Sequence, residues 1–506
     1  MTQIVDKYDE VEFEKLWASA KTDGAIGVGT LFHYAQQNNL TVAQSLQTNV
    51  TNDDVKDIRN GRLFAESNRG RLLFFHEIDE VVVFDESGWK LASPGQVERA
   101  AKQIVADMRS EANELFKLDH NDPVAKALNK HADQSSSLQR IFAMIELARS
   151  EPGMTVRLSE FDNDPNLLGL KNGVMNLKER DLVEIQPDVY VSLRCNVDFD
   201  PLSSCPKFKQ FLVDIQPDQE IRRLLQQLAG LFLSGDSNLQ KLVFFYGHGA
   251  NGKTTFIELM AWILGDYTRR IPTELLMQQQ RNSQGPSPDI VALKGRRMVY
   301  CNEVEENRRL AEARVKELTG GDTLTGRAVY GKVDITFRPT HKLVMVGNYQ
   351  PEITDMSHGM WRRMLLIPFD QTIDPEKCDD ELSEKLKAEG SGILNWMLAG
   401  YHDYLTHGIV VPQSIKNATN AYKTEQDVIG EWVSDHCIID ASQSSCKRKL
   451  YKAYQFWIKD RGQHPLAQVR FTRRLTDRGY RQDAGRRNIT GLALNPEGLI
   501  ASTRVF

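Results

Sequence analysis

Residues Lys241–Thr255, KLVFFYGHGANGKTT, constrain this chain more than any other stretch. The unbroken apolar run Leu242–Tyr246 suits a parallel strand buried on both faces. Gly247, His248, Gly249, Ala250, Asn251, Gly252, Lys253 and Thr254 then fit G-x-x-x-x-G-K-[ST] at each fixed position. Phe256, Leu259, Met260, Ile263 and Leu264 recur at helical spacing until Gly265 ends the helix. Strand, glycine-rich turn and helix are the context this motif requires, and a chance turn lacks it. The glycines let backbone N–H groups curl around a phosphate, at a helix N-terminus whose dipole favours an anion. Residues 247–255, Thr255 included, are therefore expected to bind a nucleoside triphosphate. Lys253 reaches the β/γ-phosphates, and the Thr254 hydroxyl ligates Mg²⁺.

Three later apolar runs carry a polar group at one end. Met298–Cys301 leads into Asn302-Glu303-Val304-Glu305. If the strand persists, Glu303 and Glu305 share a face, one holding Mg²⁺ and the other activating water; Glu303 is the safer of the two. KLVMVGN ends at Asn348, and MLLIPF is preceded by Arg362 and Arg363. Strands flanked in this way predict an α/β sheet with its site along one edge. Between them, TLTGRAVYGKVDITFRP reads as two strands joined around Gly331-Lys332, with Val333, Ile335 and Phe337 on one face.

At 506 residues the chain exceeds one core. No apolar run approaches the roughly 20 residues of a membrane span, the acidic start MTQIVDKYDEVEFEK lacks a signal-peptide pattern, and six cysteines lack C-x-x-C spacing. An intracellular protein with no membrane partner is expected. Net charge is −5, yet Ala441–Phe506 holds 14 Lys/Arg against 4 Asp/Glu, so the remainder carries −15. That asymmetry points to a C-terminal unit meeting a polyanion. There, KRKLYKAYQFWIKDRG and LAQVRFTRRLTDRGY read as two helices followed by the β-like NITGLALN, a winged-helix arrangement. Arg470, Arg473, Arg474 and Arg478 group on the second helix as DNA-binding candidates, against the alternative of a solvated basic face. Upstream, Asp162-x-Asp164 offers two carboxylates for metals, but Pro165 follows and no third ligand is in place, so a turn is expected and polymerisation is not.

These pieces resemble, in order and wording, the superfamily 3 helicase core of the phage and plasmid primase-helicases, relatives of the poxvirus primase-helicase. The stretches that carry the likeness are GHGANGKTTF, RRMVYCNEVEENRRLAEARVKELTGGDTLTGR, FRPTHKLVMVGNYQP and HGMWRRMLLIPF, with FDNDPNLLGLKNGVMNL upstream. The resemblance implies an AAA+-type P-loop ATPase with a parallel central sheet, preceded by an α+β domain and followed by a basic winged-helix domain. The expected segments are a helical stretch to residue 50, an α+β domain over 51–205, the helicase core over 206–375, a helical connector over 376–430 and the winged helix over 431–506. It further implies ATP with Mg²⁺, Lys253 and Thr254 as the Walker A pair, Glu303 as the Walker B acid and Asn348 as sensor. Arg362 or Arg363 would be a finger donated to the neighbouring subunit, while Tyr330 and Lys332 would ride a hairpin in the channel of a hexamer. The implied activity is ATP-driven, 3′→5′ unwinding of single-stranded and forked DNA at a replication fork in a bacterial host's cytoplasm. No primase domain is legible, which leaves priming to a separate primase. Two other readings stand beside it: an origin-binding initiator that melts DNA locally, and a small-molecule P-loop enzyme.

Overall fold

In the computed structural model the residues described are 57–279, 287–302, 305–306, 308–327, 333–374, 376 and 379–503. These residues form two compact units, the first running to Phe161 and including Ile185–Ser192, the second comprising Asp162–Glu184 and the residues from Leu193 onward.

In the first unit, strands β1 (Leu72–Phe75), β2 (Val81–Asp85) and β3 (Gly88–Leu91) form an antiparallel meander, and β4 (Thr155–Val156) adds parallel to β1. Alternation sorts β1 between two cores. Leu72 and Phe74 join Phe64, Ile104, Met108, Ile141 and Met144 of the helices Asp57–Asn68, Gln96–Leu118 and Leu138–Arg149. Leu73 and Phe75 join Val82, Trp89 and Phe161 on the opposite face. A further helix, Pro123–Ser135, starts where Asp122 accepts from the Val124 amide and proline occupies the first turn. It is pinned from within by Asn60, which donates to Ser135 and meets His131, all three buried.

The second unit is built on a parallel sheet ordered β14-β8-β13-β10-β9, with β8 at Leu242–Tyr246, β9 at Thr268–Arg270, β10 at Met298–Asn302, β13 at Lys342–Gly347 and β14 at Met364–Pro368. Four residues of β8 and all six of β13 are buried, as strands covered on both faces must be. The helix Lys253–Leu264 buries Phe256, Ile257, Leu259, Met260, Ile263 and Leu264. Two buried cations lie at the N-terminal edge of this sheet. Arg297 donates to the Leu233 and Leu167 carbonyls, and Lys342 to that of Ser234. Both serve the C-terminal end of the helix Gln219–Leu233, where carbonyls lack helical partners and the dipole favours positive charge.

The unit boundary falls earlier than the sequence pattern suggests. Strands β5 (Leu167–Leu170), β6 (Gly173–Asn176) and β7 (Asp181–Val183) form an antiparallel sheet whose Leu168, Leu170, Met175 and Leu177 share one core with Phe245 and Leu264. Asp162 and Asp164 are occupied in turns: one accepts from the Leu193 amide, the other from the Asn166 amide. Strands β11 (Leu324–Gly326) and β12 (Ile335–Phe337) pair antiparallel and bury Ile335 and Phe337, but Val333 lies outside the strand and is exposed. The tip between them, with Tyr330 and Lys332, lies outside the described residues, as do residues 1–56 and Glu303.

Toward the C-terminus, helices Gln413–Glu425 and Val428–His436 lead into β15 (Cys437–Cys446), helices Lys447–Asp460 and Gln468–Asp477, then β16 (Arg481–Gln482) and β17 (Asn488–Leu494). The three strands form an antiparallel sheet in the order β15-β17-β16. Trp432, Tyr454, Phe471, Leu475 and Ile489 are its core. No helix among the described residues is long and apolar enough to cross a membrane.

Candidate functional site

The site forms where three parallel strands end side by side. Register pairs Tyr246 with Gly347 and Asn302 with Val346, so the residues after β8, β13 and β10 emerge together at one edge. After β8 two positions have no room for a side chain. A Cβ at Gly247 would sit 2.2 Å from the Phe369 carbonyl oxygen, and one at Gly252 would sit 2.4 Å from Ile215. Gly252 also has φ +77°, a left-handed conformation that glycine adopts without strain. It opens the helix Lys253–Leu264 with no side-chain cap, which leaves first-turn amides for an anion.

The loop is braced from behind. Asn251, buried, donates to the carbonyls of His248 (2.6 Å) and Phe369 (2.8 Å), and the Ile373 amide donates to Ala250 (2.8 Å). Lys253 is only 4% exposed, and its ammonium donates to the Gly247 carbonyl (2.7 Å), Asn251 Oδ1 (2.8 Å) and Asn348 Oδ1 (3.3 Å). Burial pulls its pKa below the ordinary lysine value, and no carboxylate is among its hydrogen-bond partners within the described residues. The lysine is thus a desolvated positive charge satisfied by neutral oxygens. Thr254 is exposed on the first helical turn.

Strand β10 is described through Asn302, and the face that Glu303 is expected to share with Glu305 lies outside the described residues. The Glu305 side chain is 76% exposed and pairs with Arg308 at 2.9 Å. A residue not singled out in the sequence, Glu258, lies one turn beyond Thr254 and accepts from Tyr300 (3.2 Å) and Asn302 (3.1 Å), tying the P-loop helix to β10. Its (i, i+4) relation to Thr254 is legible, but contact with β10 is tertiary.

Arg362 and Arg363 lie at the other end of the sheet. The Leu242 amide, at the start of β8, donates to the Arg363 carbonyl, whereas the P-loop follows the end of β8. A group preceding a strand parallel to β8 must stand at the opposite edge. Five residues of strand separate the two, about 16 Å, so these arginines do not share the edge of Lys253 and Asn348. They also differ from each other. Arg363 donates to Thr319 Oγ1 (3.2 Å) and the Gly359 carbonyl (2.6 Å), and burial lowers its pKa. The Arg362 side chain is exposed and has no hydrogen-bond partner among the described residues, with Lys241 donating only to its carbonyl.

The loop after Asn348 is anchored by residues that no motif marks. Tyr422, buried, donates its hydroxyl to the Pro351 carbonyl and packs against Trp361 with ring centroids 5.4 Å apart. Gln426 accepts from the Ile353 amide at 2.9 Å. Among the C-terminal arginines, Arg470 and Arg473 are exposed. Arg474 is half-buried, and Arg478 follows the helix rather than lying on it, its guanidinium paired with Asp427. That pairing is a structural role, since it fixes the N-cap of Val428–His436.

Sequence comparison adds kinship to this geometry. The family model described as D5 N terminal like matches residues 61–217, and a family of unknown function (DUF5906) matches residues 245–363. A provisionally named helicase of Acanthamoeba polyphaga mimivirus is 29% identical over 325 residues, covering 60% of this chain and 34% of the relative. Similar coverage holds for a provisionally named helicase of Frog virus 3, 26% identical over 51% of this chain and 28% of its own, and for a provisionally named primase of African swine fever virus, 28% identical over 59% and 34%. The chain therefore spans about a third of the length of these relatives. Among solved structures, the C terminal region of NrS-1 in its apo form aligns over 80% of each chain with a TM-score of 0.45 and 13% identity. By the D5-type N-terminal match over residues 61–217 and its likeness to these viral proteins, the chain is related to the viral primase-helicases.

Proposed function

We propose that this chain is an ATP-driven helicase motor of DNA replication, an AAA+-type ATPase working as a ring of identical subunits. The observation that carries the reading is the meeting of Lys253 with Asn348 at the C-terminal edge of a parallel sheet, beside an uncapped helix start. A buried ammonium whose described partners are neutral oxygens gains from an anionic partner in low dielectric. Lys253 would exchange the Gly247 and Asn251 oxygens for β/γ-phosphate oxygens, while the loop amides hold the remaining charge. Close packing of Gly247 against Phe369 and of Gly252 against Ile215 would hold the loop backbone in place for the phosphates.

The residues also fit Mg²⁺: Thr254, exposed on the first helical turn, would hold the ion together with the Glu303 carboxylate. When bound, the ion supplies neutralisation of charge spread over the transferred phosphoryl group. With Glu303 on the ion, Glu305 would be the acid that takes the proton of the attacking water. Asn348 would orient that water or the terminal phosphate. Arg362 stands at the edge far from its own P-loop, and in a head-to-tail ring it would serve the neighbour's nucleotide. DNA would meet Tyr330 and Lys332 in the channel, and the exposed Arg470 and Arg473 of a winged-helix domain outside it.

The test is Mg²⁺-dependent ATPase with and without single-stranded DNA, followed by strand displacement on a long forked duplex. DNA-stimulated hydrolysis with processive 3′→5′ displacement supports the motor. Hydrolysis without displacement of a long duplex would contradict it in favour of an initiator that melts locally.

A further inference from the structure

Beside the P-loop helix runs a cleft of about 410 Å³ that none of the residues above explains. It starts at Thr254 and Thr255 and continues along the helix past Glu258, Leu259 and Trp262, with Ser383, Leu386 and Lys387 of the helix Leu382–Lys387 opposite. Leu259 and Leu386 are buried and make an apolar floor. Trp262 is half-buried and has no aromatic ring partner among the described residues. At Gly390 a Cβ would come within 3.2 Å of the indole, so the backbone there lies close along the ring's edge.

We infer that this cleft takes the nucleoside half of the bound nucleotide, with the base against Trp262. The inference rests on the nucleotide site proposed above and adds the subsite that reads the base and sugar. Direction comes first. Lys253 points to Gly247 and Asn348, whereas Thr254 and Thr255, its immediate neighbours, line the cleft. A triphosphate whose terminal groups meet Lys253 therefore has its nucleoside end toward Thr255. Length agrees: seven helical residues from Thr255 to Trp262 rise about 10 Å, the span of a ribose and a purine laid end to end.

Chemistry selects the same occupant. Both charged groups on the rim are already committed, Lys387 to Glu384 at 2.7 Å and Glu258 to Tyr300 and Asn302. What remains is an apolar floor, an indole and the hydroxyls of Thr255 and Ser383, which suit a flat, uncharged, heteroatom-rich group rather than a further anion. A base laid on Trp262 gains stacking that is indifferent to which base it is.

The experiment compares two probes on the full chain by calorimetry in Mg²⁺: a non-hydrolysable ATP analogue and inorganic tripolyphosphate, which has the phosphates and no nucleoside. Trp262→Leu is expected to weaken the analogue about ten- to a hundredfold and to leave tripolyphosphate unchanged. Trp262→Phe, which keeps a stacking face, should hold the analogue within a few-fold of wild type. Unaltered analogue binding by Trp262→Leu overturns the subsite. So does equal weakening of both probes, because the indole would then act through the fold of the P-loop helix. Failure of the wild-type chain to bind tripolyphosphate strikes the phosphate cradle itself, and is distinguished from the other failures by appearing before any substitution.

Discussion

Replacing Arg362 by alanine tests the geometry at its least obvious point. The Leu242 amide donates to the carbonyl of Arg363 at 2.7 Å, so Arg362 stands at the beginning of β8, and the P-loop starts after its last residue, Tyr246. The intervening strand is about 16 Å long, farther than an arginine side chain extends. Arg362 thus has no route to its own nucleotide, yet its exposed side chain is available to a neighbour. If it neutralises charge in trans, its loss should lower ATPase by roughly 10³–10⁵, the range for arginine fingers. ATP binding should persist, since the loop and Lys253 are untouched.

Mixing then separates a trans role from a cis one. Arg362→Ala subunits keep the phosphate site, and Lys253→Ala subunits keep the arginine. In randomly mixed head-to-tail rings, about a quarter of interfaces join an intact site to an intact arginine. Equal mixtures should therefore recover about a quarter of wild-type ATPase from two inactive parents. Arg362→Ala activity within tenfold of wild type would exclude Arg362 as the finger. So would no recovery in mixtures whose mixed assembly is verified by native mass spectrometry.

Three further outcomes follow. Gly252→Ala must force a Cβ to within 2.4 Å of Ile215 at φ +77°; it should cost at least about 1–2 kcal/mol of stability, read by denaturant titration, and weaken tripolyphosphate binding. His341, 4% exposed, has its pKa lowered from 6.5 to about 4, by burial first and the Lys342 charge second. The native chain then binds fewer protons than the unfolded one between those values, so this contribution is complete above pH 6.5 and is lost as pH falls towards 4, about 3 kcal/mol in all; His341→Gln should flatten the pH dependence of unfolding in that window. Replacing exposed Arg470 and Arg473 together by alanine should reduce the log–log salt slope of duplex DNA binding by about 1.8, or 0.9 per phosphate contact, whereas Arg478→Ala should lower stability through Asp427 and leave the slope unchanged.

How much of this the sequence discloses depends on the range of the interactions. The P-loop is legible because its requirements are local: glycines where a Cβ has no room, a lysine after them, an apolar strand before. The two C-terminal helices and β17 are legible for the same reason, each carrying its own periodicity. Strand order is not, because nothing within KLVMVG states that it lies between β8 and β10. That missing order misleads at Arg362 and Arg363: a flanking polar residue marks the ligand edge only when it follows its strand, and these precede theirs. Leu168, Leu170, Met175 and Leu177 look like the core of the preceding domain, but burial against Phe245 and Leu264 assigns them to the second unit. Glu258, Trp262 and Tyr422 are ordinary helix residues in sequence, and their roles arise from what a distant segment lays against them.

The central claim is that hydrolysis at Lys253 drives strand separation. It is tested most directly by following displacement of a labelled strand from a forked duplex by the wild-type chain and by Lys253→Ala, each with Mg²⁺ and ATP. Unwinding by wild type should stop when a non-hydrolysable analogue replaces ATP, and Lys253→Ala should show none although it still binds the fork. Unwinding by Lys253→Ala at the wild-type rate, or by wild type with no nucleotide present, would contradict the claim.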